Sequence, residues 1–377
     1  MKIYLVGVSG LPNYGDELIL KNWVQYIINK YPDVELWIDV PFPTIIHCYF
    51  NQKNIKVTNA IWRLIHDSKE EKEVFYRKID EKICHLGTPN YDLSLINLRD
   101  VDIFHIIGGG YINRFWDYNI GVLYVADIIK REFNVKTYIT GAGLLPLAIE
   151  KHQYKTLLGR FDYVESRDVE GANLLGIHFG YDDAYLNQIN QHGNFDKDRL
   201  PDVIVCVQND MIEQNLFHII VQEIRARLIE YQQQSLTIGY IEAIPGSDRI
   251  AYEHLHDLIT SNMFFNAAEI IKNGLPIKAN QVWYTTRFHH HLEASLLGLK
   301  GVAININKGY YDIKHNSLLN NGTGWAIWNV MIDNLPYPSL NDAFLIKSDE
   351  IIENKKQVAE NLYPDLYQVK KEEWKTS

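Results

Sequence analysis

Residues 3–8 form an unbroken apolar and β-branched run, the mark of a strand buried on both faces of a parallel sheet. A turn follows through Gly10, Pro12, Asn13 and Gly15. Residues 16–29 then carry Leu20, Val24, Ile27 and Ile28 at helical spacing. The same alternation recurs. Strands are predicted over 34–40, 103–107, 136–140 and 163–166, and helices over 123–133 and 169–175. The polar, Asn-rich stretch 188–201 reads as a linker, after which a second set begins. Its strands are predicted at 203–207, 236–241, 281–285 and 302–306, and its helices at 214–231, 249–259, 289–297 and 348–362. Residues 53–97 are charged and weakly periodic, and read as a mostly helical insertion. The pattern predicts an α/β chain of two facing doubly wound, Rossmann-like domains with an interdomain cleft. The N-terminal domain would span 1–190 and the C-terminal domain 200–340, with a helical segment over 341–377 packing back across both.

Length and composition fit this reading. At 377 residues, 46% apolar and 22% charged, the chain can bury two cores, and 24 Tyr, 8 Trp and 14 Phe make those cores aromatic. A formal charge of −10 argues against nucleic acid as a partner, since backbone binding depends on neutralising phosphates with Lys and Arg. Cys48, Cys84 and Cys206 are isolated, without CxxC spacing, which argues against a disulfide framework or zinc knuckle and fits a reducing cytosol. No stretch reaches the roughly 18 apolar residues of a spanning helix. A cytoplasmic protein is expected, with any membrane contact peripheral and at the inner face.

In open parallel sheets, ligands collect at the carboxyl ends of strands. Four segments stand there: 9–16, 108–113, 141–145 and 286–291. Neither a Walker A sequence nor GxGxxG is present, so a P-loop or dinucleotide site has little support. Arg287 falls where a buried strand meets a helix, a costly place for a charge unless it binds an anion or pairs with a carboxylate. Both readings stand at this point: a guanidinium fork for phosphate or carboxylate, or a salt bridge between domains. His289 lies at the start of the next helix and Lys308 just after the next strand. The run His289-His290-His291 does not read as a metal site, because successive helical residues point about 100° apart.

Taken together, these segments resemble the polysaccharide pyruvyl transferase family. The resemblance rests on Asn13-Tyr14-Gly15-Asp16, Gly108-Gly109-Gly110, Gly141-Ala142-Gly143, Glu165-Ser166-Arg167-Asp168 with Asp182 and Asp183 beyond, and Arg287-Phe288-His289 followed by Lys308. They run in order from about residue 3 to 310. His290 and His291 depart from the small or apolar residues of the pattern.

The resemblance implies a GT-B-like fold, phosphoenolpyruvate as donor and no cofactor. The acceptor would be a sugar on a lipid- or nucleotide-linked glycan of a cell-surface polysaccharide or its precursor, closed into a cyclic pyruvate ketal. Arg287, Phe288, His289, Lys308 and Arg167 would hold the donor in the second domain. His289 would act as acid or phosphate ligand and Asp16 as base or acceptor contact. Asn13, Gly15, Gly108, Gly109, Gly110, Gly141 and Gly143 would line the acceptor side. A GT-B glycosyltransferase using a nucleotide sugar is the alternative, with Glu293 as the nearby acid to hold the nucleotide. A non-catalytic sugar-binding protein is a third reading.

Overall fold

The computed structural model describes residues 1–50, 52–69, 72–84, 92–186, 193–306 and 311–364. Contacts divide the chain into two compact units: residues 1–11, 19–187 and 352–377 form the first, and 12–18 with 188–351 the second. The hydrophobic pattern does not reveal that residues 12–18 belong with the second unit.

The first unit is built on a seven-stranded parallel sheet. Its strands are β1 (Lys2–Val6), β2 (Glu35–Asp39), β3 (Ile55–Thr58), β4 (Ile103–Ile106), β5 (Lys136–Ala142), β6 (Tyr163–Ser166) and β7 (His178–Phe179), in the order β3-β2-β1-β4-β5-β6-β7. The second unit carries β8 (Val203–Cys206), β9 (Ile238–Ile241), β10 (Phe264–Phe265), β11 (Val282–Thr285), β12 (Lys300–Asn305) and β13 (Ala326–Asn329), in the order β10-β9-β8-β11-β12-β13. The strands β1, β4 and β8 are buried at every position, as continuous apolar runs covered by helices on both faces should be. Each sheet reverses its winding once, between β1 and β4 in the first unit and between β8 and β11 in the second. The loops leaving these strands part there and open a crevice at the carboxyl end of the sheet.

The stretch 53–97 is mostly helical, as expected, but its described residues belong to the sheet and core of the first unit and are no addition to it. It begins with β3, paired parallel to β2 in register Leu36 to Ile55. The helices Ala60–Asp67 and Lys72–Cys84 follow, and they bury Ile61, Leu64, Ile65, Phe75, Ile79 and Ile83 in the main core of the unit. The spacing of 75, 79 and 83 is helical, but the charges on the opposite face obscure it. The edge strands β7 and β10, two residues each, were too short to show a pattern, and β13 was not predicted. Helix Phe344–Leu362 runs through the expected C-terminal segment, and its second half belongs to the first unit.

Candidate functional site

In the second unit, β11 pairs with β8 so that Thr285 stands beside Cys206. The chain then turns: Thr285 Oγ1 accepts the Arg287 N–H at 2.9 Å, and the Gln208 N–H donates to Thr286 Oγ1 at 3.0 Å. Arg287 is extended and sits at the N-cap position of helix Phe288–Leu296. Its side chain is buried between two carboxylates. Nε donates to Asp248 at 3.1 Å and Nη2 to Asp210 at 2.6 Å, with a further Nη2 contact to Asp248. These two carboxylates are inside the second unit, whereas the ion-pair reading of the sequence placed the partner in another domain.

The two carboxylates differ. Asp248 is fully buried and also accepts the N–H groups of Ala243 and Ile244 at 2.7 and 2.9 Å. Asp210 keeps 35% of its side chain exposed. Burial pushes Asp210 upward, but Arg287 and the Ser247 hydroxyl together hold it below the usual carboxylate value.

Residues 12–18 pack onto the start of the same helix. The Tyr14 N–H donates to Ala243 O at 3.0 Å, and Asn13 Nδ2 donates to Asp16 Oδ2 at 2.6 Å across the turn. Gly15 lies directly against the His289 ring: a Cβ at this position would stand 1.7 Å from Nδ1, so any side chain here would displace that ring. Six of the expected site residues, Asn13, Gly15, Asp16, Arg287, Phe288 and His289, are thus gathered in one unit. Lys308 lies outside the described residues.

The three successive histidines go three ways. His289 is half-buried, against Gly15 and the edge of Phe288. His290 is fully buried between Tyr14 and Trp283, and burial, with Arg287 and His289 nearby, pushes it down to about 3. His291 faces away, with Nδ1 at 3.2 Å from His315 Nδ1, and the second nitrogen of His315 reaches Thr286 O at 3.2 Å. Burial holds both of these rings neutral, His315 at about 4. Among the described residues no group of three or more His, Cys, Asp or Glu side chains is arranged to hold a metal ion.

Sequence reasoning missed Asp210 and Asp248, and named Glu293 as an acid for a nucleotide, not as the partner of Tyr14 that it is. Asp210 follows a predicted strand, so its place at a carboxyl end was legible. That β8 and β11 are neighbours was not.

The glycine loops belong to the first unit and close on its own carboxylates. The Gly108 N–H donates to Asp183 Oδ2 at 2.7 Å, which also accepts from Trp23 Nε1 and Thr140 Oγ1, each at 2.7 Å. The Gly141 N–H donates to Glu165 at 3.0 Å. Lys355, from the C-terminal helix, stands 2.5 Å from Asp183 Oδ1 and also contacts Glu165, all three fully buried. Gly109 (φ +136°) and Gly141 (φ +51°) adopt backbone that other residues resist, and Gly109 O accepts the Gly143 N–H at 2.9 Å. The N–H groups of Gly108 and Gly141 are consequently spent inside the protein, not offered to a ligand as the glycine pattern suggests. Arg167 packs on Gly143 and pairs with buried Asp182 at 2.6 Å. It lies in the first unit, whereas Arg287, Phe288 and His289 lie in the second. No signal in the sequence marks Lys355.

Among the described residues no helix is long and apolar enough to cross a membrane. Two doubly wound parallel sheets, each with a single reversal, define a two-unit α/β protein of the GT-B-like class. Solved structures share that fold. A Listeria monocytogenes protein described as a UDP-N-acetylglucosamine 2-epimerase matches with TM-score 0.53 and 12% identity, over 94% of this chain and 88% of the other. A Neisseria meningitidis UDP-GlcNAc 2-epimerase, bound to UDP-GlcNAc, gives 0.50 and 12%, over 97% and 93%. A spinosyn rhamnosyltransferase gives 0.50 and 9%, over 96% and 99%. At such identities the likeness concerns fold alone. No curated protein matches the sequence. The sequence profile of the polysaccharide pyruvyl transferase family matches residues 13–308, and the chain belongs to that family.

Proposed function

We propose that this protein moves pyruvyl from phosphoenolpyruvate onto a sugar of a cell-surface polysaccharide or its precursor, closing a cyclic ketal. The observation that carries the reading is the meeting of two motifs of the matched segment, Asn13–Asp16 and Arg287–His289, at the switch point of the second sheet. Arg287 offers a planar fork to a phosphate or carboxylate. In the arrangement described, that fork is held by two carboxylates, so donor binding requires Asp210 to swing aside. Its partial exposure supports that movement, while Asp248, satisfied by backbone N–H groups, keeps the guanidinium aimed. Lys308 would add a second cation.

The chemistry balances without a redox cofactor. A proton added to the methylene carbon uses the C=C electron pair and leaves an oxocarbenium-like centre at C2. A sugar hydroxyl bonds to C2 and gives its proton to a base. Cleavage of the C2–O bond then releases phosphate, and a second hydroxyl closes the ketal and loses its proton in turn. In this reading His289 serves as acid or phosphate ligand and Asp16 as base or acceptor contact, the two roles that general acid–base catalysis of these steps requires. The reaction is cytoplasmic in this reading, and an acceptor on a lipid carrier would bring peripheral contact with the inner face of the membrane.

A nucleotide-sugar donor is the competing reading, favoured by the UDP-GlcNAc bound in the Neisseria structure. The acid that would hold such a nucleotide, Glu293, is instead buried and bonded to Tyr14. Thermal shift separates the two donors. A ligand binding only the folded state at a hundredfold excess over Kd stabilises it by about 2.7 kcal/mol. Phosphoenolpyruvate should raise Tm and UDP or GDP should not; the reverse result would transfer the assignment to a glycosyltransferase.

A further inference from the structure

Glu293 lies four positions after His289 and three after His290 on helix Phe288–Leu296, so the three share one side of that helix. It is 1% exposed, and among the described residues no Lys or Arg forms an ion pair with it. Its Oε2 accepts the Tyr14 phenol, brought by the 12–18 segment of the same unit. Its Oε1 is buried and has no hydrogen-bond partner among the described residues, and neither ring nitrogen of His290 has one. Three unpartnered polar atoms in one buried corner are unusual, because each costs about 1–3 kcal/mol when left unsatisfied. An ionised carboxylate there, with no cation in contact, would cost more still.

We infer that Glu293 stands as a neutral carboxylic acid in the folded protein and, fastened to Tyr14, serves as the proton store behind His289. With Oε2 accepting from Tyr14, the acid proton sits on Oε1, the oxygen no protein group occupies. It is spent when His289 has given its proton to the donor methylene: the O–H bond of Glu293 breaks and an N–H bond on His289 forms, while the attacking hydroxyl gives its proton to Asp16; a proton that His289 later takes from solvent passes back to reload the carboxylate. Glu293 touches no reacting atom in this scheme and acts through His289. The titratable and charged groups around it are Tyr14 on the facing segment and Arg287, His289 and His290 at the start of its own helix. Burial moves Glu293 up to about 8 and the Tyr14 phenol well above its usual range, in keeping with a proton held at neutral pH. The inference rests on the pyruvyl-transfer reading.

Glu293→Gln is the test, since an amide matches a neutral acid in shape but holds no transferable proton. Infrared spectroscopy of the whole wild-type protein should show a protonated-carboxyl band near pH 6 that is absent from the variant and fades as pH passes 8. The variant should melt close to wild type. With phosphoenolpyruvate and acceptor, its kcat should fall at least tenfold with KM for the donor little changed, and the alkaline limb of the pH profile should move. Tyr14→Phe should give a smaller fall and shift the band. A missing band, or a Glu293→Gln protein that no longer folds, would mean an ionised carboxylate and overturn the inference. So would wild-type kcat and pH profile in Glu293→Gln. Wild type that shows the band but forms no pyruvylated product would instead defeat the transfer reading on which the role depends.

Discussion

Each unit buries one cation between two carboxylates, yet the two clusters are sealed to different degrees. In the first unit, Lys355, Glu165 and Asp183 are all closed to solvent, and the loop N–H groups of Gly108 and Gly141 complete the carboxylates. Burial alone would lower the lysine, but Asp183 and Glu165 hold it above its ordinary value. In the second unit, Arg287 has one partner locked by backbone donors and one that is a third exposed. A sealed triad can only hold structure. A triad with one loose member can exchange that member for a ligand. The same charge pattern therefore fastens loops in one place, and in the other leaves a partner that the proposed donor would replace.

The sharpest way to break this contrast is Lys355→Met. It strands two buried carboxylates, a change that costs about 3–5 kcal/mol for a broken buried pair. Equilibrium unfolding should show a loss of that size, and a loss below 1 kcal/mol would mean the triad is not what fastens the glycine loops.

Next is His289→Ala. Removing a general acid typically costs about 10²–10⁴ in rate, and the half-buried ring supports little packing, so Tm should hold. His291→Ala should do the opposite, lowering Tm through its lost contact with His315. Equal activity losses at both positions with unchanged stability would refute the assignment of His289.

Arg287→Ala should keep the fold at a smaller stability cost than Lys355→Met, because Asp210 is partly exposed to solvent and Asp248 retains its backbone donors, and should abolish the Tm rise given by phosphoenolpyruvate. Arg287→Lys should recover only part of that rise, since an ammonium cannot make the forked contact. Outright unfolding of Arg287→Ala would make this cluster a structural one like that of Lys355.

The smallest expected effect is at Asp39, which ends β2. Burial raises it to about 6, against the lowering donation of the Ile61 N–H and the Tyr4 phenol. A raised folded-state value means its contribution is full below about 3.8 and fades as pH rises to 6. The stability of wild type relative to Asp39→Asn should decline across that window; a flat difference would contradict it.

Much of the fold was legible because the runs at 3–8, 103–107, 203–207 and 302–306 are short and rich in β-branched residues, which favours buried strands over helix. The site was legible only in part. Asn13–Asp16 and Arg287–His289 announce themselves by composition at strand ends. Their meeting depends on residues 12–18 joining the second unit, which no local pattern encodes. Asp210, Asp248 and Lys355 were missed for the same reason. An ion pair between residues 77 or 172 positions apart is fixed by strand order and by where the last helix docks, and these are tertiary facts. The glycine loops misled in the opposite direction: a loop shaped to receive an anion received the protein's own carboxylates.

Transfer of pyruvyl is most directly tested by mass spectrometry of lipid- or nucleotide-linked glycans incubated with the protein and phosphoenolpyruvate, with phosphate release followed in parallel. The account predicts a gain of one pyruvyl ketal and one phosphate released per turnover, both lost in His289→Ala. A glycan unchanged by phosphoenolpyruvate but extended by a sugar when a nucleotide sugar is supplied would contradict it.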